Sequence, residues 1–117
     1  MWIFTEIGFF SVVEHRHQPD CLLVRARART DLEALIQWIP RWVGHDRTCK
    51  IRIRSTPSAD YPFRCIVKRE AFGKALTAIA TRIHYDNFKN RVAQTQGKER
   101  AHVYLVVWDH LRRMLYR

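Results

Sequence analysis

Residues Tyr61 to Ile83, YPFRCIVKREAFGKALTAIATRI, change hydrophobic period from two to 3.6 with almost no connecting residue. Phe63, Cys65 and Val67 alternate with Arg64, Ile66 and Lys68, as the two faces of a strand do. From Phe72 the apolar residues Ala75, Leu76, Ile79, Ala80 and Ile83 recur at helical spacing and form one stripe. A strand that hands over directly to an amphipathic helix sets the fold class, α+β, ahead of any function.

The flanking segments follow the same logic. WIFTEIGFFSVVE, residues 2–14, is dense in aromatic and β-branched residues and reads as a strand interrupted at Gly8 by a bulge or tight bend. HRHQPD, residues 15–20, is a turn. CLLVRARAR, residues 21–29, is a second strand, with Val24, Ala26 and Ala28 on one side and Arg25, Arg27 and Arg29 on the other. Thr30 and Glu33 form a capping-box pattern ahead of a helix whose stripe is Leu32, Leu35, Ile36 and Ile39, limited by Pro40. KIRIR, residues 50–54, reads as a short third strand, and STPSADYP as the loop into the fourth.

After the central helix, Asp86 stands where an N-cap belongs for NFKNRVAQTQ, which Gly97 ends. The last segment, residues 98–116, reads as a helix with Ala101, Leu105, Trp108, Leu111 and Leu115 on one face. Residues 102–108 have strand propensity, but the helical period continues beyond Trp108. The expected order is ββαββααα: an antiparallel sheet of about four strands with helices packed on one face, a two-layer α+β sandwich in one domain of 117 residues.

The charge bears on function. Lys plus Arg number 21 against 11 acidic residues, a formal net charge of +10, and sixteen of the 21 are Arg. Arg grips phosphate or carboxylate with a planar fork and stacks on bases. A GC-rich genome accounts for Arg in place of Lys, but accounts less well for the net charge. If the outward positions of strands two, three and four share a face, that face gathers Arg25, Arg27, Arg29, Lys50, Arg52, Arg54, Arg64 and Lys68. Such a field suits a polyanion, with Trp2 and Phe4 as stacking platforms beside it. The plain alternative is a solvated sheet face.

Weaker patterns remain. His84, Tyr85, Asn87, Lys89 and Arg91 are residue types that metal-independent ribonucleases use, with His102, Asp109 and His110 further on, but no fixed spacing defines such a site. Packing of Tyr85 and Phe88 at a helix junction explains them as well. His15, His17, Asp20 and Cys21, or His45 with Cys49, offer metal-ligand types without a zinc spacing, so no metal and no cofactor is expected. The four glycines form no phosphate loop. Three cysteines, no signal-peptide pattern and no apolar run of ~18 residues point to a cytoplasmic protein with free thiols, away from membranes.

MWIFTEIGFFSVV, YPFRCIVKREAF, YDNFKN and RAHVYLVVW together resemble a group of small uncharacterised bacterial proteins of about this length. The resemblance implies a bacterial, cytoplasmic origin and transfers neither an activity nor a site. The function expected from the residues is non-enzymatic nucleic-acid binding through the Arg-rich face. The alternatives are a module or inhibitor docking on an acidic protein, and a small ribonuclease or toxin.

Overall fold

The aromatic N-terminal run forms a hairpin. A computed structural model of the chain describes residues 1–40 and 51–116. Trp2–Thr5 (β1) and Gly8–Glu14 (β2) are separate strands reversed through Glu6 and Ile7. The break expected at Gly8 is therefore a complete reversal. The sheet has five strands rather than about four, and the order is βββαββααα rather than ββαββααα. Gly8 permits it through close approach: a Cβ there would lie 2.6 Å from both Cβ and Cγ of Asp31. Asp31 is buried, and its Oδ2 accepts the Phe9 N–H at 3.0 Å.

The other strands are Cys21–Ala26 (β3), Arg54–Ser55 (β4) and Phe63–Lys68 (β5), in the spatial order β1-β2-β3-β5-β4. The β2–β3, β3–β5 and β5–β4 pairs are antiparallel. The third strand expected over residues 50–54 is shorter than its alternation implies: Arg54 and Ser55 pair with β5, and 51–53 join no ladder. The loop fixes that register, through Thr56 N–H to Pro62 O at 2.7 Å and Ala59 N–H to Thr56 O at 3.0 Å. A two-residue edge exposes few unpaired backbone groups. Lys50 lies outside the described residues.

Helices Arg29–Ile36 (α1) and Arg69–Thr81 (α2) contact β2, β3 and β5. The core holds Phe10, Val12, Val24, Ala26, Cys65 and Val67 from the strands, with Leu32, Leu35, Ala71, Phe72 and Ala75 from the helices. α1 starts one residue before the expected cap. Ala28 is its N-cap without a side-chain bond, and Glu33 pairs with Arg29 at 3.0 Å instead of reaching back to Thr30. Arg29 thus belongs to α1, not to a strand. α2 begins directly after β5, as the change of period requires. Its expected stripe is buried at Phe72 and Ala75 but runs out toward Ile83, which is 54% exposed.

The chain divides into two compact units: Met1–Phe4 with Gly8–Ile83, and Thr5–Ile7 with the residues from His84 onward. The second holds Phe88–Gln96 (α3), Lys98–Leu111 (α4) and a 3-10 turn, Arg112–Tyr116. Residues 102–108 are helical, as the period requires. The α3 cap is Asn87 rather than Asp86, its side chain accepting Asn90 N–H at 3.0 Å. Gly97 separates the helices at φ 97°, a backbone conformation that suits glycine. Val92 is fully buried, and Phe88 stacks on Tyr104 at 5.9 Å. The apolar positions expected to pack along α4 are largely exposed; Tyr104 is the one buried there. Among the described residues, no helix is long and apolar enough to cross a membrane.

Candidate functional site

In the first unit, α1 and α2 cover one side of the sheet, and the pleat sends the alternate residues to the other. Directly opposed residues on antiparallel strands share a side, so the register maps that open face. Ser11 stands opposite Arg25, Arg25 opposite Arg64, and Arg64 opposite Arg54. At the far edge Met1 N donates to Val12 O and Val12 N to Met1 O, both at 2.8 Å. Those bonds set Trp2 opposite Ser11 and Phe4 opposite Phe9. One transverse row therefore crosses all five strands: Trp2, Ser11, Arg25, Arg64, Arg54.

Three arginines in direct register is an unfavourable arrangement for a sheet, because like charges directly opposed destabilise it. Nor is the charge balanced locally. Arg25 is held by the Ser11 hydroxyl, Nη2 to Oγ at 2.7 Å, and lies over the Tyr61 ring at 4.9 Å; both partners are neutral. Arg64 and Arg54 have no acidic partner among the described residues. The Nε atoms of Arg25 and Arg64 are buried without a hydrogen-bond partner there.

Beside the row, a cleft of about 550 Å³ opens over β3, β4 and β5. Arg52, Arg54, Arg64 and Lys68 line it, with His15, Gln18 and a single acid, Asp20, at the rim. Four of the eight cations anticipated from the sequence thus converge on one concavity, and Arg25 adjoins it through the row. The turn over residues 15–20 is braced by His15, whose Nδ1 accepts the backbone N–H groups of His17 and Gln18 at 3.2 and 3.1 Å.

The remaining predicted cations lie elsewhere. Arg27, past the end of β3, lies 4.8 Å from the centre of the Tyr61 ring and pairs with Asp60 at 2.8 Å. Arg29 is on α1, paired with Glu33. At the β1–β2 end, Phe4 stacks on Phe9 at 4.5 Å, and Trp2 meets Phe9 edge-on at 6.0 Å while staying 68% exposed. Tyr61, only 8% exposed, positions Arg25 and Arg27 rather than offering a free ring. Ser11, Tyr61 and Gln18 were not anticipated from the sequence. Alternation could have placed Ser11 outward, but the Arg25 contact needs the register.

In the second unit, three of the residues that resemble a ribonuclease set, Asn87, Lys89 and Arg91, are taken up in structural contacts. Asn87 caps α3, and Arg91 Nε pairs with Glu6 at 2.7 Å. Lys89 Nζ sits 4.4 Å over Trp108. Burial, then the Glu6 carboxylate, push the Tyr85 phenol upward against the opposing pull of Arg91. A phenol held neutral in this way is a poor base near neutrality. No cluster of three metal-ligand side chains occurs among the described residues, and His45 and Cys49 lie outside them. Cys21 and Cys65 are buried thiols outside any disulfide, and burial pushes the Cys65 thiol up to about 12, unsuited to nucleophilic work.

No protein-family model, curated protein or solved structure matches the chain. The resemblance to small bacterial proteins therefore rests on its motifs alone.

Proposed function

We propose that the first unit binds nucleic acid through its open sheet face without catalysing a reaction. Arg25, Arg52, Arg54, Arg64 and Lys68 are assigned to phosphate contacts. The observation that carries this reading is the register of Arg25, Arg64 and Arg54 across three adjacent strands, without acidic neutralisation among the described residues. A solvated face would gain by interspersing acids, whereas phosphate oxygens accept from such a row and relieve its repulsion. Cys21 and Cys65, buried thiols outside any disulfide, fit a reducing, cytoplasmic setting for this role.

Fluorescence anisotropy with labelled DNA and RNA, single- and double-stranded, tests it between 50 and 300 mM salt. Five phosphate contacts predict a log–log salt slope of about −3.5 on single strands and about −4.5 on duplex. Absence of binding at 50 mM salt overturns the proposal, as does binding indifferent to Arg54→Glu combined with Arg64→Glu.

One observation favours a second reading, docking on an acidic protein. α4 leaves Val103, Val106, Trp108 and Leu111 exposed, and a helix apolar on several sides is ordinarily covered. Lys89 and Arg112 lie over Trp108 at 4.4 and 5.5 Å, so a partner with acids around an apolar stripe complements it. A labelled amphipathic peptide with Glu on its polar face and Leu on its apolar face is the probe. Binding lost on Trp108→Ala supports docking, and no binding, or binding unchanged by Trp108→Ala, refutes it.

A further inference from the structure

We infer that the open face selects single-stranded nucleic acid, laid across the strands from β1 to β4, with a base stacked on Trp2 and phosphates on Arg25, Arg64 and Arg54. The inference rests on the nucleic-acid reading and adds the conformation of the ligand and the way it lies.

The order of side chains along the row carries it. An exposed indole stands at one edge, a small hydroxyl residue follows, and three guanidinium groups complete the row. Trp2 is supported from behind rather than covered: Phe9 meets it edge-on at 6.0 Å with an interplanar angle of 86°, and Phe9 is itself stacked on Phe4. An indole braced in this way and 68% exposed offers a flat surface at little ordering cost. Duplex bases already stack on one another and show only their edges in the grooves, so such a ring finds no free face there. A single strand supplies one.

The dimensions agree. Strands lie about 4.8 Å apart, so the four gaps from β1 to β4 span about 19 Å, room for about four nucleotides, the short end of known single-strand sites. Ser11, between the platform and the first guanidinium, is itself buried, and its hydroxyl fixes Arg25 at 2.7 Å. Tyr61 beneath Arg25 restricts it further. Arg25 thus meets a phosphate with a side chain already ordered and still fully charged. Two residues along the strands, Val13, Leu23 and Ile66 form a parallel apolar row in register, a shelf for sugar and base edges.

The test compares labelled oligo-dT, oligo-rU, a duplex of equal length and inorganic polyphosphate, against the wild-type chain, Trp2→Ala, Trp2→Phe and Arg54→Glu with Arg64→Glu. Circular dichroism first establishes that the variants retain the fold. The expected result is at least ten-fold tighter binding of both single strands than of duplex. Trp2→Ala should weaken single-strand binding by roughly 5- to 150-fold, with Trp2→Phe recovering most of it. Trp2→Ala should leave polyphosphate binding and the salt slope unchanged. Equal affinity for duplex, or single-strand binding indifferent to Trp2→Ala while Arg54→Glu with Arg64→Glu abolishes it, overturns the single-strand inference and leaves nucleic-acid binding standing. Absence of binding to every nucleic acid overturns both. A difference between oligo-dT and oligo-rU identifies which single strand the site prefers.

Discussion

Replacing Arg64 by Gln should stabilise the protein. Arg64 stands directly opposite Arg25 on one side and Arg54 on the other. Like charges at directly opposed positions cost about 0.2–1 kcal/mol per pair. Arg54 is exposed, so solvent screening keeps its pair near the low end, whereas Arg25 is half-buried and nearer the high end. Gln keeps most of the aliphatic stem and removes the charge, for a net gain of about 0.5–1.5 kcal/mol. For a chain of this size that is a rise in Tm of about 2–6 °C. Arg64→Lys, which retains the charge, should show little gain. Thermal melting by circular dichroism at 20 mM and 1 M salt decides the cause: at 1 M the Debye length falls to about 3 Å and most of the gain should vanish. The same substitution should weaken oligonucleotide binding and reduce the single-strand salt slope by about 0.7. A fall in Tm at low salt, or a gain unchanged at 1 M, refutes the reasoning, because Arg64 would then serve the fold rather than burden it.

Other outcomes follow from particular contacts. Gly8→Ala puts a Cβ 2.6 Å from Asp31 and displaces the carboxylate that accepts Phe9 N–H; urea unfolding should show a loss of about 2–5 kcal/mol, and a loss below about 0.5 would contradict the packing described. Asn87→Ala removes the α3 cap and should cost about 1 kcal/mol, visible as faster amide exchange in the first turn of Phe88–Gln96, with Asn87→Asp restoring protection. The Cys65 thiol, raised from 9.0 to about 12 by burial, keeps its proton in the folded state while the unfolded thiol ionises. Its contribution is complete below pH 9 and declines by about 1.4 kcal/mol per pH unit as pH rises toward 12. The wild-type minus Cys65→Ala difference in stability between pH 8 and 10.5 should show that slope, and parallel curves would contradict it.

The fold was legible wherever one residue's environment follows from its near neighbours. The alternation of Cys65 and Val67 with Arg64 and Lys68, and the period that buries Phe72 and Ala75, locate β5 and α2 within a residue or two. The misreadings share a cause: each turned on which partner a residue takes, near or distant, and periodicity does not choose it. The reversal before Gly8 needs Asp31, some 22 positions away from Phe9 whose amide it accepts. Glu33 had two candidate partners, Thr30 and Arg29, and the guanidinium took it. The apolar period of α4 correctly marks a helix but does not say what covers it, and much of that face is exposed. For the candidate site, alternation placed Arg25 and Arg64 outward, while their opposition to each other and to Arg54 depends on strand pairing.

The arginines of CLLVRARAR show how pairing divides an apparently uniform charge. Arg25, Arg27 and Arg29 look equivalent in the sequence, yet each has a different fate. Arg29 is taken into α1 and paired with Glu33; Arg27 is paired with Asp60; Arg25 is held by a hydroxyl and a phenol ring that leave its charge intact. The same division extends further. Within the first unit Glu14 goes to Arg69 and Glu70 to Lys74; within the second Glu6 goes to Arg91 and Asp109 to Arg112. Asp20 alone among the acids lines the cleft, where its Oδ1 lies 3.7 Å from Cys21 Sγ. An excess of +10 spread by composition alone would leave unneutralised cations wherever acids happened to be sparse. Here Arg25, Arg54 and Arg64 occupy consecutive places on adjacent strands, at a cost to the sheet that folding does not repay. Local rules broken at one place, and kept around it, are what a binding surface requires. That is why the proposed phosphate contacts are assigned to this row and its cleft rather than to the basic composition of the chain as a whole.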